Sequence, residues 1–128
     1  IARRYDLGFV ELRAANPNTD PWLPGVDVVL KLPTMHLLPD GPRQGIVINL
    51  PEMRLYAYVK KGQPPLTFPI GVGREGLATP LGTTTVVNKK EKPTWRPTAR
   101  MRKEDPTLPE AVPPGPENPL GDYIMYLG

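Results

Sequence analysis

The side chains able to do chemistry in this chain of 128 residues are few and unevenly placed. There is no cysteine, which excludes disulfides, thiolate metal sites and a cysteine nucleophile within these residues. The single histidine, His36, stands in a proline-bounded connection and reads as a packed or surface residue. No metal and no cofactor is expected. Two stretches remain. Residues 68–87, FPIGVGREGLATPLGTTTVV, set Gly71, Gly73, Gly76 and Gly82 around Thr79, so that the backbone can turn tightly and its amides and the Thr79 hydroxyl supply uncharged donors. Residues 89–103 gather Lys89, Lys90, Lys92, Arg96, Arg100, Arg102 and Lys103 around Trp95, with Glu91 the only acid among them. Cations interleaved with an aromatic ring suit an anionic partner. No nucleic-acid fold signature accompanies them, however, and Pro93 and Pro97 forbid one continuous basic helix. A solvated face, or a rim for an acidic peptide, is the better reading. The net charge of +3 and pI near 9.3 fit either.

The elements that must position these residues are short. Nineteen prolines and twelve glycines rule out long helices, while 39% patterned apolar residues rule out disorder throughout. No apolar run is long enough to span a bilayer, and Ile1-Ala2-Arg3-Arg4 is not a signal peptide, so the protein is expected either in the cytosol or exported with its signal removed. Residues 1–16 read as two short helices broken at Leu7-Gly8 and stopped by Asn16-Pro17. Residues 26–32 read as a short strand closed by Pro33. Residues 46–50 and 54–60 predict a hairpin about Pro51-Glu52-Met53, and the opening stretch reads strand, loop, strand, with its second strand at residues 83–87. Residues 108–119 are too proline-dense for regular structure and read as an ordered surface loop. The final run, residues 123–127, is apolar on both faces and predicts a central strand with neighbours on each side.

Two resemblances follow from particular words. IARRYD, AANPNTDPW, LPG and VLKLP resemble the later part of a LysM module, a small peptidoglycan- and chitin-binding unit of βααβ order whose first strand would precede Ile1. In that family a groove beside the loop after the second helix holds sugar, which makes Asn16 and Asp20 the implied glycan-binding residues; the alternative is that Asn16 is a helix stop alone. Further on, VINLPEMRLYAY, FPIGVGREGLATPLGTTTV, PTWRPTARMR, LPEAVPPGPENPLG and YIMYLG closely resemble the L,D-transpeptidase (YkuD) catalytic domain, in the LysM-containing ErfK/YbiS-like subgroup.

The resemblance implies a mainly β fold: a partial, β-sandwich-like L,D-transpeptidase domain over residues 44–128, preceded by an incomplete α+β LysM-like module at 1–33 and a linker at 34–43. It implies a periplasmic or envelope enzyme in which a cysteine thiolate attacks a peptidoglycan tetrapeptide stem, releases D-alanine and passes the acyl group to an amine. That amine belongs to another stem peptide or to an outer-membrane lipoprotein. The family's His-Gly-Thr and Ser-x-Gly-Cys-x-Arg words do not occur here, so the chain is expected to be a fragment cut at both ends, inactive by itself. Trp95, Arg96 and Asn118 are the implied lining of the donor groove, a basic aromatic rim for a peptide with free carboxylates; the alternative makes Trp95 a core anchor and Asn118 a turn residue. Two other classes stay open: a non-catalytic wall-binding module and a basic nucleic-acid binder. Self-association through an incomplete sheet is also expected.

Overall fold

A computed structural model describes residues 1–128. They pack as two compact units, Ile1–Thr79 and Pro80–Gly128. In the first, a 3-10 helix at Ala2–Tyr5 ends at Asp6, whose backbone is left-handed (φ 52°, ψ 40°). Gly8 then caps helix α1 (Phe9–Ala15), and the Glu11 carboxylate accepts the Gly8 N–H at 3.0 Å. This is half of a capping box, because glycine has no side chain to return the bond. Asn16 closes α1, its N–H bonded to the Arg13 carbonyl, and Pro17 prevents any continuation.

The three-stranded sheet of this unit is antiparallel, in the order β1 (Gly45–Asn49), β2 (Arg54–Tyr58), β3 (Leu66–Pro69). Its β1–β2 hairpin turns where the sequence predicts, with Pro51 pre-set for the second turn position and the Met53 N–H bonded to the Leu50 carbonyl at 3.0 Å. Asn49 steadies the turn by donating to the Glu52 carboxylate at 2.8 Å. The register pairs Asn49 with Arg54 and Gly45 with Tyr58, and on the other edge Leu55 with Phe68. On the central strand the face that becomes buried carries Arg54, 3% exposed, and Tyr56, fully buried. The aliphatic residues of that strand, Leu55 and Ala57, are only half-buried.

The second unit is built on a two-stranded antiparallel sheet of β4 (Val86–Glu91) and β5 (Tyr123–Leu127), with an irregularity between Val86 and Asn88. Helix α2 (Ala99–Glu104) follows Pro97 and is capped by Thr98, whose hydroxyl accepts the Met101 N–H. A separate antiparallel bridge joins Trp95 to Val112 through both backbone bonds, at 2.9 and 2.8 Å.

Three expectations need correction. Residues 26–32 form no strand: Gly25 and Asp27 both take positive φ, and the only ladder-like pairing is made by a side chain, described below. The strand expected at residues 83–87 lies instead at Val86–Glu91, because pairing with β5 overrides the β-branched run and draws Lys89 and Lys90 into the ladder. β5 has one neighbour rather than two, and only Ile124 on it is shielded from solvent. The chain is mainly β, and no helix is long and apolar enough to cross a membrane.

Candidate functional site

Two places in the fold collect the residues singled out above. The first is a cleft of about 220 Å³ in the N-terminal unit, lined mainly by apolar side chains including Phe9, Leu12 and Leu30, with Asn16, Asp20 and Trp22 at its polar margin. Asn16 is placed there by the end of α1. Its amide nitrogen donates to the carbonyls of Leu12 and Lys31, and its oxygen accepts the Lys31 N–H, all at 2.8 Å. The side chain thus makes on Lys31 the pair of bonds that a neighbouring strand would make. It is a strut of the cleft wall.

Asp20 begins the next turn. One of its oxygens accepts the N–H groups of Leu23 and Trp22, at 2.9 and 2.8 Å, and these donors hold its carboxyl below the ordinary carboxylate value. The turn presents Trp22, which is 80% exposed and stacks on Phe9 with ring centroids 5.8 Å apart and planes at 27°. An exposed aromatic face beside a carboxylate and an amide can pack against the apolar face of a sugar ring while its hydroxyls find polar partners. The sequence reading picks out Asn16 and Asp20 and misses Trp22, although the ring closes the same AANPNTDPW word. A tryptophan directly after Asp-Pro, where a turn must hold it on the surface, is the signal that was there to use.

The second place is the bridge of the C-terminal unit. Asn118 is 6% exposed, and its amide nitrogen reaches the carbonyls of Pro93, Val112 and Pro113 at 2.8, 3.2 and 3.1 Å. Its oxygen accepts the Leu120 N–H at 2.9 Å. Val112 is the bridge partner of Trp95 and Pro93 lies two residues before it, so Asn118 ties together both sides of the segment that carries the ring. Trp95 is half-buried on this frame, while the side chain of Arg96 is exposed beside it. The structure therefore gathers Trp95 and Asn118 on one bridge, with Asn118 acting through backbone. The Arg96 guanidinium lies on the surface beside that bridge.

Between α1 and the first sheet lies a polar cluster that the sequence reading did not assemble. The buried Arg54 guanidinium donates to the Asp6 carbonyl at 2.7 and 3.3 Å and faces the Glu11 carboxylate at 3.7 Å. His36 packs against the other Glu11 oxygen, Nδ1 to Oε1 3.2 Å. The Tyr56 hydroxyl donates to Glu52 at 2.9 Å, and burial, reinforced by that carboxylate, raises the phenol to about 12. These groups hold the fold together; none of them faces a nucleophile. No cluster of three or more His, Cys, Asp or Glu side chains is assembled anywhere in these residues.

Comparison with known proteins decides the family. The family described as the L,D-transpeptidase catalytic domain (YkuD) matches residues 43–126. The chain belongs to the L,D-transpeptidase family. Along its whole length it is 44% identical to the Escherichia coli protein named Probable L,D-transpeptidase YcfS, aligning 99% of this chain with 42% of that one. Escherichia coli Probable L,D-transpeptidase YbiS is 45% identical over 100% of the chain and 44% of its own length, and Salmonella typhimurium Probable L,D-transpeptidase ErfK/SrfK is 43% identical over 100% and 43%. The chain thus spans less than half the length of these relatives. Among solved structures, one from Brucella melitensis titled as a probable carnitine operon oxidoreductase is 36% identical, with a TM-score of 0.55 over 68% of this chain and 56% of that one. The match to the L,D-transpeptidase domain runs from the approach to β1 through most of β5, so it includes the Trp95 bridge and leaves the cleft outside.

Proposed function

We propose that these residues are part of a peptidoglycan L,D-transpeptidase of the cell envelope, the whole protein using a cysteine thiolate to exchange the terminal D-alanine of a tetrapeptide stem for an amine. The observation that carries this reading is the family match over residues 43–126, supported by identity above 40% to three named relatives along the entire chain. In this reading the fold is the YkuD sandwich, residues 1–33 are a LysM-like module holding glycan through Asn16 and Asp20, and the amine acceptor is a second stem peptide or an outer-membrane lipoprotein. Trp95 and Arg96 line the donor groove, the ring flanking the peptide and the guanidinium meeting its free carboxylates, while Asn118 keeps their segment in place.

The 128 residues contain no cysteine, and their one histidine is engaged by Glu11, so acyl transfer is assigned to the whole protein and not to this stretch alone. The test is D-alanine release from a tetrapeptide muropeptide. The whole protein is expected to release it and the 128-residue chain to leave the muropeptide intact; turnover by the chain would overturn the assignment. A second reading, a wall-binding module without catalysis, is favoured by one feature, the Trp22 cleft with its apolar wall and polar margin. Sacculus binding by the whole protein with no D-alanine release would select it.

A further inference from the structure

Residues 1–42 lie outside the matched L,D-transpeptidase segment, yet they are fastened to it by a buried charge. Arg54 belongs to β2, inside the match, and is 3% exposed. Its two terminal nitrogens converge on a single carbonyl, that of Asp6, at 2.7 and 3.3 Å. Asp6 is the left-handed residue that closes the 3-10 helix, its own N–H bonded to the Ala2 carbonyl. The same guanidinium faces Glu11 at 3.7 Å, and Glu11 in turn holds the Gly8 N–H and His36. Nε of Arg54 has no partner, so the arginine holds through its two terminal nitrogens; beside it the Tyr56 hydroxyl, 3.2 Å from the Leu37 carbonyl, and the buried Leu7 add to the same attachment. The junction before α1 and the central strand of the sheet therefore meet on Arg54, and Glu11 links the connection at His36 to them.

Helix α1 extends this attachment to the cleft. It begins at the Gly8–Glu11 bond beside Arg54 and ends at Asn16, which fixes the cleft wall through Leu12 and Lys31. A seven-residue helix is too short to bend appreciably. We infer that Arg54 is a positioning residue that locks the N-terminal segment and its cleft onto the L,D-transpeptidase sheet, so that the cleft and the sheet turn in solution as one rigid body and not as beads on a linker. The inference does not depend on what the cleft binds. If the cleft holds wall glycan, its orientation to the sheet is set before any ligand arrives.

Residual dipolar couplings of the whole protein test this directly. Backbone couplings of residues 9–15 and of residues 45–58 are expected to fit one alignment tensor in the native protein. Arg54→Met is expected to require two tensors and to speed amide exchange in α1 at least tenfold relative to β2. Arg54→Lys, with charge but no fork, should fall between the two. Should Arg54→Met fail to fold, Glu11→Gln, whose side chain is at the cluster margin, is expected to raise α1 exchange several-fold with β2 unchanged. Separate tensors in the native chain, or one tensor and unchanged α1 exchange in every variant, would overturn the inference.

Discussion

At the scale of single residues, the polar groups that matter most are the ones whose bonds are all made. Replacing Asn118 with alanine strips the donor from three carbonyls and the acceptor from the Leu120 N–H in a site only 6% exposed. The expected loss is about 2–3 kcal/mol in the denaturant unfolding of the C-terminal unit. Tyr56 gives a pH dependence. Its folded value is raised to about 12 against an ordinary 10.0, so its contribution is complete below pH 10 and is lost as the pH rises through the folded value. Native protein should therefore lose on the order of 2–3 kcal/mol between those limits relative to Tyr56→Phe, whose stability curve lacks that slope. Asp20 works in the opposite direction: its depressed carboxyl supports the turn above the ordinary value of 3.8 and ceases to do so as the pH falls through the folded one. Little of this was legible beforehand. The sequence marks Asn118 only as the polar residue of a Glu-Asn-Pro word, and nothing in the strand pattern of residues 54–60 announces that the arginine and a tyrosine, rather than the leucine, form the buried face.

At the scale of elements, the glycine-rich loop shows how close approach fixes identity. The Gly73 N–H donates to the Thr79 hydroxyl at 2.8 Å, and a methyl group on Gly73 would collide with the Leu77 carbonyl and the Thr79 amide. Gly73→Ala should open the loop, seen as faster tryptic cleavage after Arg74, whereas Gly71→Ala, which meets nothing, should leave the cleavage rate unchanged. That loop was readable, because glycine and proline punctuation reports on local backbone. The β1–β2 hairpin was readable for the same reason. Strand limits were not: β4 starts three residues later than its β-branched run and continues through two lysines, since the partner β5, more than thirty residues away in the chain, sets the register. The strand expected at residues 26–32 failed likewise, for its pattern is strand-like but no strand lies beside it.

At the scale of the molecule, burial is sparse. Only Leu7 and Tyr56 among the large hydrophobic side chains are buried, and Tyr123, Met125 and Leu127 on β5 are each more than half exposed. A chain with so little enclosed apolar area and an open two-stranded ribbon is expected to associate. Sedimentation velocity should show a weight-average mass that climbs with concentration, and Met125→Lys should reduce the climb; a constant 14.2 kDa species would count against it. The family itself was legible, because separate words such as FPIGVGREGLATPLGTTTV and PTWRPTARMR stand in order within residues 43–126, the segment the family matches. What packs against what was not, since composition and periodicity say nothing about which faces find a partner.

The two asparagines that serve as struts, Asn16 and Asn118, share one more property. Each is followed by proline, Pro17 and Pro119. Spontaneous deamidation of asparagine proceeds through attack of the next residue's backbone nitrogen on the side-chain amide, and a proline nitrogen carries no hydrogen to lose in closing that ring. Asn18, Asn49 and Asn88 have no such neighbour. The amides that bind Lys31 and the Trp95 bridge are therefore closed to this route of deamidation, and a preparation stored long enough to acquire charge variants should acquire them elsewhere first.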